Sequence, residues 1–562
     1  MSVAIIGFNS PRWFISYLGA IMAGGIGASM YTTNSADTCK YIAEKCRAVV
    51  MVVENQLQRD KILKIAPELS KLRAIIQYTD VVSDDIRNGQ DLPVYSWKDF
   101  KKLGSDLPEY ELQWRLEAQK PGQCTALIYT SGTTGHPKGV MLSHDNLTWT
   151  ASAIKQFAKI EEDYKVVSYL PLSHIAAQLT DIFLPIVCRG SVWFARPDAL
   201  KGSLIETLKD VKPTYFMAVP RVWEKLADEV RLTLSQATGL KKKFSSWAMS
   251  VGLDGGYRIQ DGGDTPFGWW IANRFLFRKT REKLGLDKCK LQGCAAAPIA
   301  RETLDFFLKL GIPVYEVYGM SESTGPQTVS YPGHHHTGTA GESLKGSELK
   351  ILHPDEFGNG EICYRGRHIF MGYIHNEEKT REALDSDGWL HSGDLGKIDD
   401  KGYLIITGRL KEMLITAGGE NIAPVPLEQQ IKNELPMVSH CLVVGDKRKF
   451  LTMIVTLKCE FDSEGVPTNK LSEVALGECA KIGSNAKTVT DACVCLRIRQ
   501  YIRNGMQKVN ATAESHAQKI QKFDIVPEDF SIVGGELTHN LKVRRPEVLR
   551  KYADVIQLLY DS

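Results

Sequence analysis

The residues 130–138, TSGTTGHPK, carry the chemistry most directly, and they follow the apolar run 126–129 without a spacer. Gly132, Gly135 and, one place beyond the run, Gly139 permit positive-φ backbone. Thr130, Ser131, Thr133 and Thr134 add hydroxyls to a cluster of amide N–H groups, and His136 and Pro137 lead to Lys138, which closes the loop with a cation. Such a loop can wrap a polyphosphate. A Walker-type loop needs GxxxxGK followed by Ser or Thr, whereas Lys138 is followed by Gly139, and Gly25-Ile26-Gly27 lacks the third glycine of a dinucleotide fingerprint. Both of those readings fall away. A plain surface loop is the bland alternative, and small, hydroxylic and basic residues in this order are hard to explain as punctuation.

Four further segments have compositions suited to nucleotide chemistry. GCAAAP at 293–298 either leaves room for a flat base against the backbone or marks close helix–strand packing. EVYGMSESTG at 316–325 either offers Tyr318 as a stacking face, Ser321 as a hydroxyl and Glu322 as a hard oxygen ligand for Mg²⁺, or is an ordinary polar exit from a strand into a loop. WLHSGDLG at 389–396 sets Asp394 in what reads as a glycine-flanked turn, where a carboxylate can accept both hydrogen bonds of a ribose diol or merely form the turn. LTHNLKVRR at 537–545 holds Lys542 among basic residues; its bland reading is an exposed charge run.

Elements must position these groups. Apolar runs at 48–53, 74–77, 126–129, 166–170, 191–194, 215–219 and 314–317 are separated by helix-length segments, which predicts layered α/β structure. Residues 203–212 read as an amphipathic helix stopped by Pro213 before the strand 214–219, outlining one βαβ unit. From 338 the text turns to short strands, and a boundary follows at Gly408-Arg409-Leu410-Lys411. The expected organisation is a layered α/β region over 1–337, a small β-barrel-like subdomain over 338–408 and a smaller α+β carboxy-terminal domain over 409–562. Residues 3–6 already read as an interior strand, which predicts a domain that begins upstream of residue 1.

The chain has 562 residues, 43% of them hydrophobic, enough for several cores. Its 69 basic and 66 acidic residues give a net charge of +3, unlike the single-sign field of a dedicated nucleic-acid binder. Twelve cysteines form no paired framework, and Cys493-Val494-Cys495 lacks the second pair of a zinc site, so a reducing cytoplasmic setting is expected. The charge-free stretch 13–36 is broken by Gly24-Gly25 and reads as a buried helix, turn and strand rather than a membrane span. Trp269, Trp270, Phe275 and Phe277 alternate with Arg274, Arg278, Lys279 and Arg281, near Lys241, Lys242 and Lys243; core packing beneath a solvated face and a peripheral membrane contact are both open there.

Taken together and in order, the five motifs resemble the adenylate-forming superfamily of acyl-CoA synthetases, luciferases and peptide-synthetase adenylation domains. The resemblance covers nearly the whole chain. SYLPLSHIAAQ at 168–178, VPRVWEKL at 219–226 and GRLKEMLITAGGENIAPVPLE at 408–428 look like the bubblegum-type long-chain acyl-CoA synthetases. It implies ATP-dependent ligation of long-chain fatty acids to coenzyme A through an acyl-adenylate, with ATP, Mg²⁺ and CoA required. Residues 130–138 would cradle the phosphates, 316–321 would line the adenine and α-phosphate, and Glu322 would hold Mg²⁺. Asp394 and Arg409 would bind the ribose, Lys542 would reach the α-phosphate, and His174 would border the reacting carboxylate. The carboxy-terminal domain would swing about Lys411, bringing Gly418 to a CoA tunnel. A relative that binds without turnover and an aryl or short-chain acid ligase are the rival readings.

Overall fold

The run Ala48–Val53 (AVVMVV) is apolar on both faces, and such a strand needs cover on both sides. It finds that cover inside a seven-stranded sheet. The computed structural model describes residues 1–82, 92–130, 136–462, 464–513, 515–538 and 541–561. The sheet runs Val94–Ser96, Ala74–Gln77, Ala48–Val53, Ser2–Ile6, Ile26–Met30, Cys124–Thr130, Lys138–Ser143. Every neighbouring pair is parallel except the last. The charge-free stretch resolves into the helix Pro11–Met22, capped by the Ser10 hydroxyl, and the buried strand Ile26–Met30. Among the described residues no helix is long and apolar enough to cross a membrane.

A second sheet pairs Tyr215–Ala218, Leu291–Ala295 and Val314–Met320 in parallel and then turns antiparallel through Gly325–Val329 and Glu342–Ser343. The helix Leu204–Val211 ends on left-handed Lys212, as its sequence suggests, but the βαβ expectation needs correction. The strand before it, Ser191–Phe194, pairs with Lys165–Ser168, while the strand after it pairs with Leu291–Ala295. A third sheet is antiparallel throughout: Ser347–Leu352, Gly360–Gly366, Leu390–Ile398 and Leu404–Arg409.

Beyond residue 410 a separate sheet joins Val438–Val444, Leu451–Leu457 and Ile520–Ile525. Its side chains alternate between two cores, with Cys441, Val443, Met453 and Val455 facing one and Leu442 and Ile454 the other. Helices Pro424–Glu434 and Leu496–Asn510 supply Ile431, Ile498 and Ile502 to the first core, and the terminal helices supply Val548 and Ile556 to the second.

Polar pairs tie this part to the helix Pro220–Ser235 of the large domain. Arg221 donates to Ser439 Oγ (3.0 Å), Lys432 Nζ to Glu224 Oε1 (2.9 Å) and Lys458 Nζ to Asp228 Oδ2 (2.8 Å). Arg221 also pairs with Glu224 at 3.0 Å. Burial alone would raise the Glu224 carboxyl, yet the cations of Lys432 and Arg221 hold it well below the usual carboxylate range.

Candidate active site

Thr130 and Lys138 are cross-strand partners, so the hydrogen-bonded ladder brings both ends of the phosphate-loop segment side by side at the sheet's edge. Ser131, Gly132, Thr133, Thr134 and Gly135 lie outside the described residues. His136 stacks on Tyr41 with ring centroids 4.3 Å apart, and Pro137 and Lys138 line a polar recess with Tyr373 and Asn376. The Lys138 ammonium sits 4.7 Å from the centre of the Tyr373 ring, where the ring face attracts it. Burial lowers its pKa and nearby Glu322 pushes the other way.

Glu322 leaves the strand Val314–Met320 on a short 3₁₀ turn. The bend demands Gly319, because a Cβ there would lie 1.8 Å from the Gly325 carbonyl oxygen. Thr324 completes the turn in the left-handed region (φ 53°), and its hydroxyl donates to the His368 carbonyl at 2.6 Å. Glu322 is thereby held buried, with Oε1 accepting from the Tyr373 hydroxyl at 2.6 Å. Burial raises its pKa, and the Tyr373 bond and the charges of Lys138 and Arg409 oppose that. A fixed carboxylate with one oxygen oriented by a phenol and a lysine close by fits a magnesium ligand beside phosphates.

Asp394 departs from its sequence reading. It lies within the strand Leu390–Ile398 rather than in a turn, with its Cα directly opposite that of Arg409. The register thus pairs their side chains: Arg409 Nε donates to Oδ1 at 2.7 Å and the Tyr318 hydroxyl to Oδ2 at 2.8 Å. Tyr318 therefore serves through its hydroxyl, and its ring packs edge-on to Tyr364. Preceding residues fix the backbone: Gly393 N–H donates to Glu361 Oε1 (3.0 Å), Asp394 N–H to Ser392 Oγ (3.0 Å), and Ser392 in turn to the Ile362 carbonyl (2.6 Å). Glu361 is itself steadied by His391 Nδ1 at 3.1 Å. Asp394 is buried, while half the Arg409 side chain meets solvent.

Lys542 comes from the carboxy-terminal domain. Its backbone N–H donates to Thr538 Oγ1 (3.1 Å), its carbonyl accepts from Thr538 N–H (2.8 Å), and Leu541 beside it is left-handed (φ 59°). His539 and Asn540 lie outside the described residues. The ammonium stands within electrostatic reach of Arg409, Asp394, Glu412 and His174. Burial brings its pKa down to about 8, Arg409 adds to the fall, and Asp394 and Glu412 oppose it.

His174 caps the short helix Ile175–Gln178, its Nδ1 accepting the Ala176 N–H at 3.2 Å. Burial and then the Lys542 charge bring its pKa down to about 4, so the ring is neutral near pH 7 and Nε2 carries the proton. Its Nε2–H is therefore a donor group. A narrow apolar pocket opens beside it, walled by Leu170, Ala176, Met217, Val219, Ala295 and Ala296. The small residues at 295–296 thus border this apolar space.

Val317, Met320 and Ser321 line the same strand exit, with Ser321 buried. Glu316 accepts the Gly338 N–H at 3.1 Å, and burial pushes its carboxyl up to about 8. Lys411 reaches this cluster through its charge, which adds to the fall in the Lys138 pKa, and Gly418 lies further along the chain. Lys411 is an exposed residue in the 3₁₀ turn Leu410–Glu412 that follows the third sheet. Gly418 is exposed between the strands Leu414–Ile415 and Asn421–Ile422, with its Cβ direction meeting only Thr416 Oγ1, at 3.8 Å. Sequence reasoning missed Tyr373, Glu361, Ser392 and Glu412. Only Glu361 carried a local signal, as an acid set between glycine and an alternating apolar strand.

The AMP-binding enzyme profile matches residues 1–374, and the AMP-binding enzyme C-terminal domain profile matches residues 411–476. Long-chain-fatty-acid–CoA ligase ACSBG2 of Xenopus laevis is 49% identical over 568 residues, covering 100% of this chain and 76% of the relative. Long-chain-fatty-acid–CoA ligase ACSBG1 of Rattus norvegicus is 46% identical, with 100% and 78% covered. The crystal structure of the anthranilate CoA ligase AuaEII in complex with anthranoyl-AMP shares the fold (TM-score 0.69, 19% identity, 99% of this chain and 88% of that one). Matched by an enzyme-family profile over most of its length and by these ligases from end to end, the chain belongs to the AMP-binding enzymes, in the bubblegum-type branch of long-chain-fatty-acid–CoA ligases.

Proposed function

We propose that the protein joins long-chain fatty acids to coenzyme A in two steps, using ATP and releasing pyrophosphate and then AMP. One observation carries this reading: the charge of Lys542, from the carboxy-terminal domain, acts on Asp394, on Arg409 and on His174, which lines the apolar pocket. In the first step a carboxylate oxygen attacks the α-phosphorus, and the bond from that phosphorus to the bridging oxygen breaks. Charge accumulates on the α-phosphate and on the departing pyrophosphate, and Lys542 and Lys138 neutralise it at the two ends. Asp394 and Arg409 hold the ribose, residues 316–321 border the adenine and α-phosphate, and His174 donates through Nε2 to the reacting carboxylate. Mg²⁺, when held by Glu322, supplies Lewis-acid stabilisation of phosphate charge.

In the second step the CoA sulfur attacks the acyl carbon, the acyl–phosphate bond breaks, AMP leaves and the thiol proton goes to solvent. Lys542 must withdraw for the thiol to approach, so the carboxy-terminal domain turns about Lys411 and brings Gly418 to the thiol's path. Twelve free thiols suit a reducing compartment, and we place the reaction in the cytoplasm. Pyrophosphate release across acids of rising chain length, with and without CoA, tests the proposal. Release that grows with chain length and thioester formed only with CoA are expected. Release confined to aryl or short acids would replace the substrate class, and none with any acid would overturn catalysis.

A further inference from the structure

The aromatic and basic segment splits into two populations. On the helical stretch Trp269–Ala272, Asn273–Phe277 and Arg278–Leu284, Phe277 is buried and meets Trp269 edge-on at 5.3 Å. Trp270 and Phe275 face outward at 69% and 51% exposure, and Phe267 on the preceding turn is 99% exposed. The neighbouring helix Gly239–Gln260 brings Leu240, Phe244 and Trp247 to the same side. Phe244 contacts Phe275 with centroids 6.4 Å apart, and Trp247 lies under the turn at left-handed Gly268, where a Cβ would come within 2.7 Å of its ring. These contacts join the two helices and the turn that carry the exposed rings.

Cations frame that surface. Arg274 and Lys279 hold their charges 5.8 and 5.9 Å from the centre of the Phe275 ring, and Lys241, Lys242 and Lys243 are exposed next to Leu240. Among the described residues none of these five makes an ion pair, whereas Arg278 is neutralised by Glu282 and Arg258 by Asp254. Exposed tryptophan and phenylalanine beside unpaired lysine and arginine are the composition of a face that lies in the interfacial layer of a bilayer, with rings among the acyl chains and charges on the headgroups.

We propose that this face, centred on Phe267, Trp270 and Phe275, docks the protein onto an anionic lipid surface. The charge sign selects the lipid, and the projecting rings distinguish the site from a merely basic patch. The contact is peripheral.

Flotation of the whole protein with neutral phosphatidylcholine vesicles and with vesicles containing phosphatidylserine tests it. The protein is expected to float with the anionic vesicles and to be released progressively by salt. The exposed pair Phe267→Ser and Trp270→Ser should cut the bound fraction roughly tenfold, and Lys241→Glu with Lys279→Glu should abolish the preference for anionic lipid. Both variants leave the nucleotide and acyl residues untouched, so pyrophosphate release with a soluble acid should match the unaltered protein. Failure to float with anionic vesicles at low salt, or flotation indifferent to both variants, would overturn the proposal. So would an unaltered protein that sediments as a dimer which the Phe267→Ser, Trp270→Ser variant dissociates, because the face would then serve self-association.

Discussion

Asp394 and Lys542 meet at one point but are held there in opposite ways. Asp394 sits in an antiparallel ladder, opposite Arg409 by register, with both oxygens bonded and its backbone fixed by Glu361 and Ser392. Lys542 is presented by a short loop of another domain, braced by Thr538, and among the described residues the large domain holds its ammonium by no hydrogen bond or ion pair, only by longer-range attraction and repulsion. The difference separates binding from turnover. A group embedded in a sheet can grip a nucleotide through both half-reactions, whereas a group on a docked domain can serve one step and leave before the next.

The largest effect that would break this comparison is expected from Lys542→Ala. Loss of one pre-organised donor at the developing charge should cut acyl-adenylate formation about 10²- to 10³-fold. Thioester formation from supplied acyl-adenylate should persist, as measured by CoA consumption in single turnover. Equal loss in both assays would make Lys542 as static as Asp394. Next is Asp394→Asn, which keeps the shape, removes the charge opposite Arg409 and disturbs the Tyr318 bond. Hydrogen bonds to charged groups contribute about 1.5–3 kcal/mol, so ATP affinity should weaken roughly 10- to 100-fold, measurable by calorimetric titration. A variant with normal affinity and slow chemistry would merge the two roles.

The mildest effect is a titration. Lys542 works as the ammonium, and its pKa stands at about 8, below its ordinary value because of burial and Arg409. The rate constant kcat/KM for adenylation should therefore be level below that value and fall about tenfold per pH unit above it. Lys542→Arg, charged throughout that range, should flatten the limb at a lower plateau. A limb that survives in Lys542→Arg would assign it to another group.

These contrasts also mark what the sequence could convey. The runs 48–53, 74–77 and 126–129 became strands of one sheet because their apolar, β-branched composition already encodes burial. Glu322 and Lys138 were legible as ligand types, since a carboxylate beside a tight turn and a lysine after glycines advertise their chemistry locally. Which strand pairs with which was not: the helix Leu204–Val211 links strands of different ladders, a choice made by partners 26 and 76 residues away in the chain. Asp394 read as a turn because Gly393 and Gly396 flank it, yet Gly393 with its φ of 71° bends a strand rather than ending one. Tyr373 carried no sign of its bond to Glu322, 51 positions earlier, since any buried tyrosine looks alike until its hydroxyl finds a partner.

The pairs from Arg221, Glu224 and Asp228 to the carboxy-terminal domain lie outside the candidate site residues. In the two-step cycle proposed above they would act as a timing element. Each departure of Lys542 from the site would strip these ions of their partners and rehydrate them, and each return would do the reverse. In the proposed cycle the dwell time of the adenylating arrangement would depend on this contact, independently of the groups that perform the chemistry. A handful of substitutions along one helix can therefore redistribute time between the half-reactions while the affinity for each substrate stays as it was.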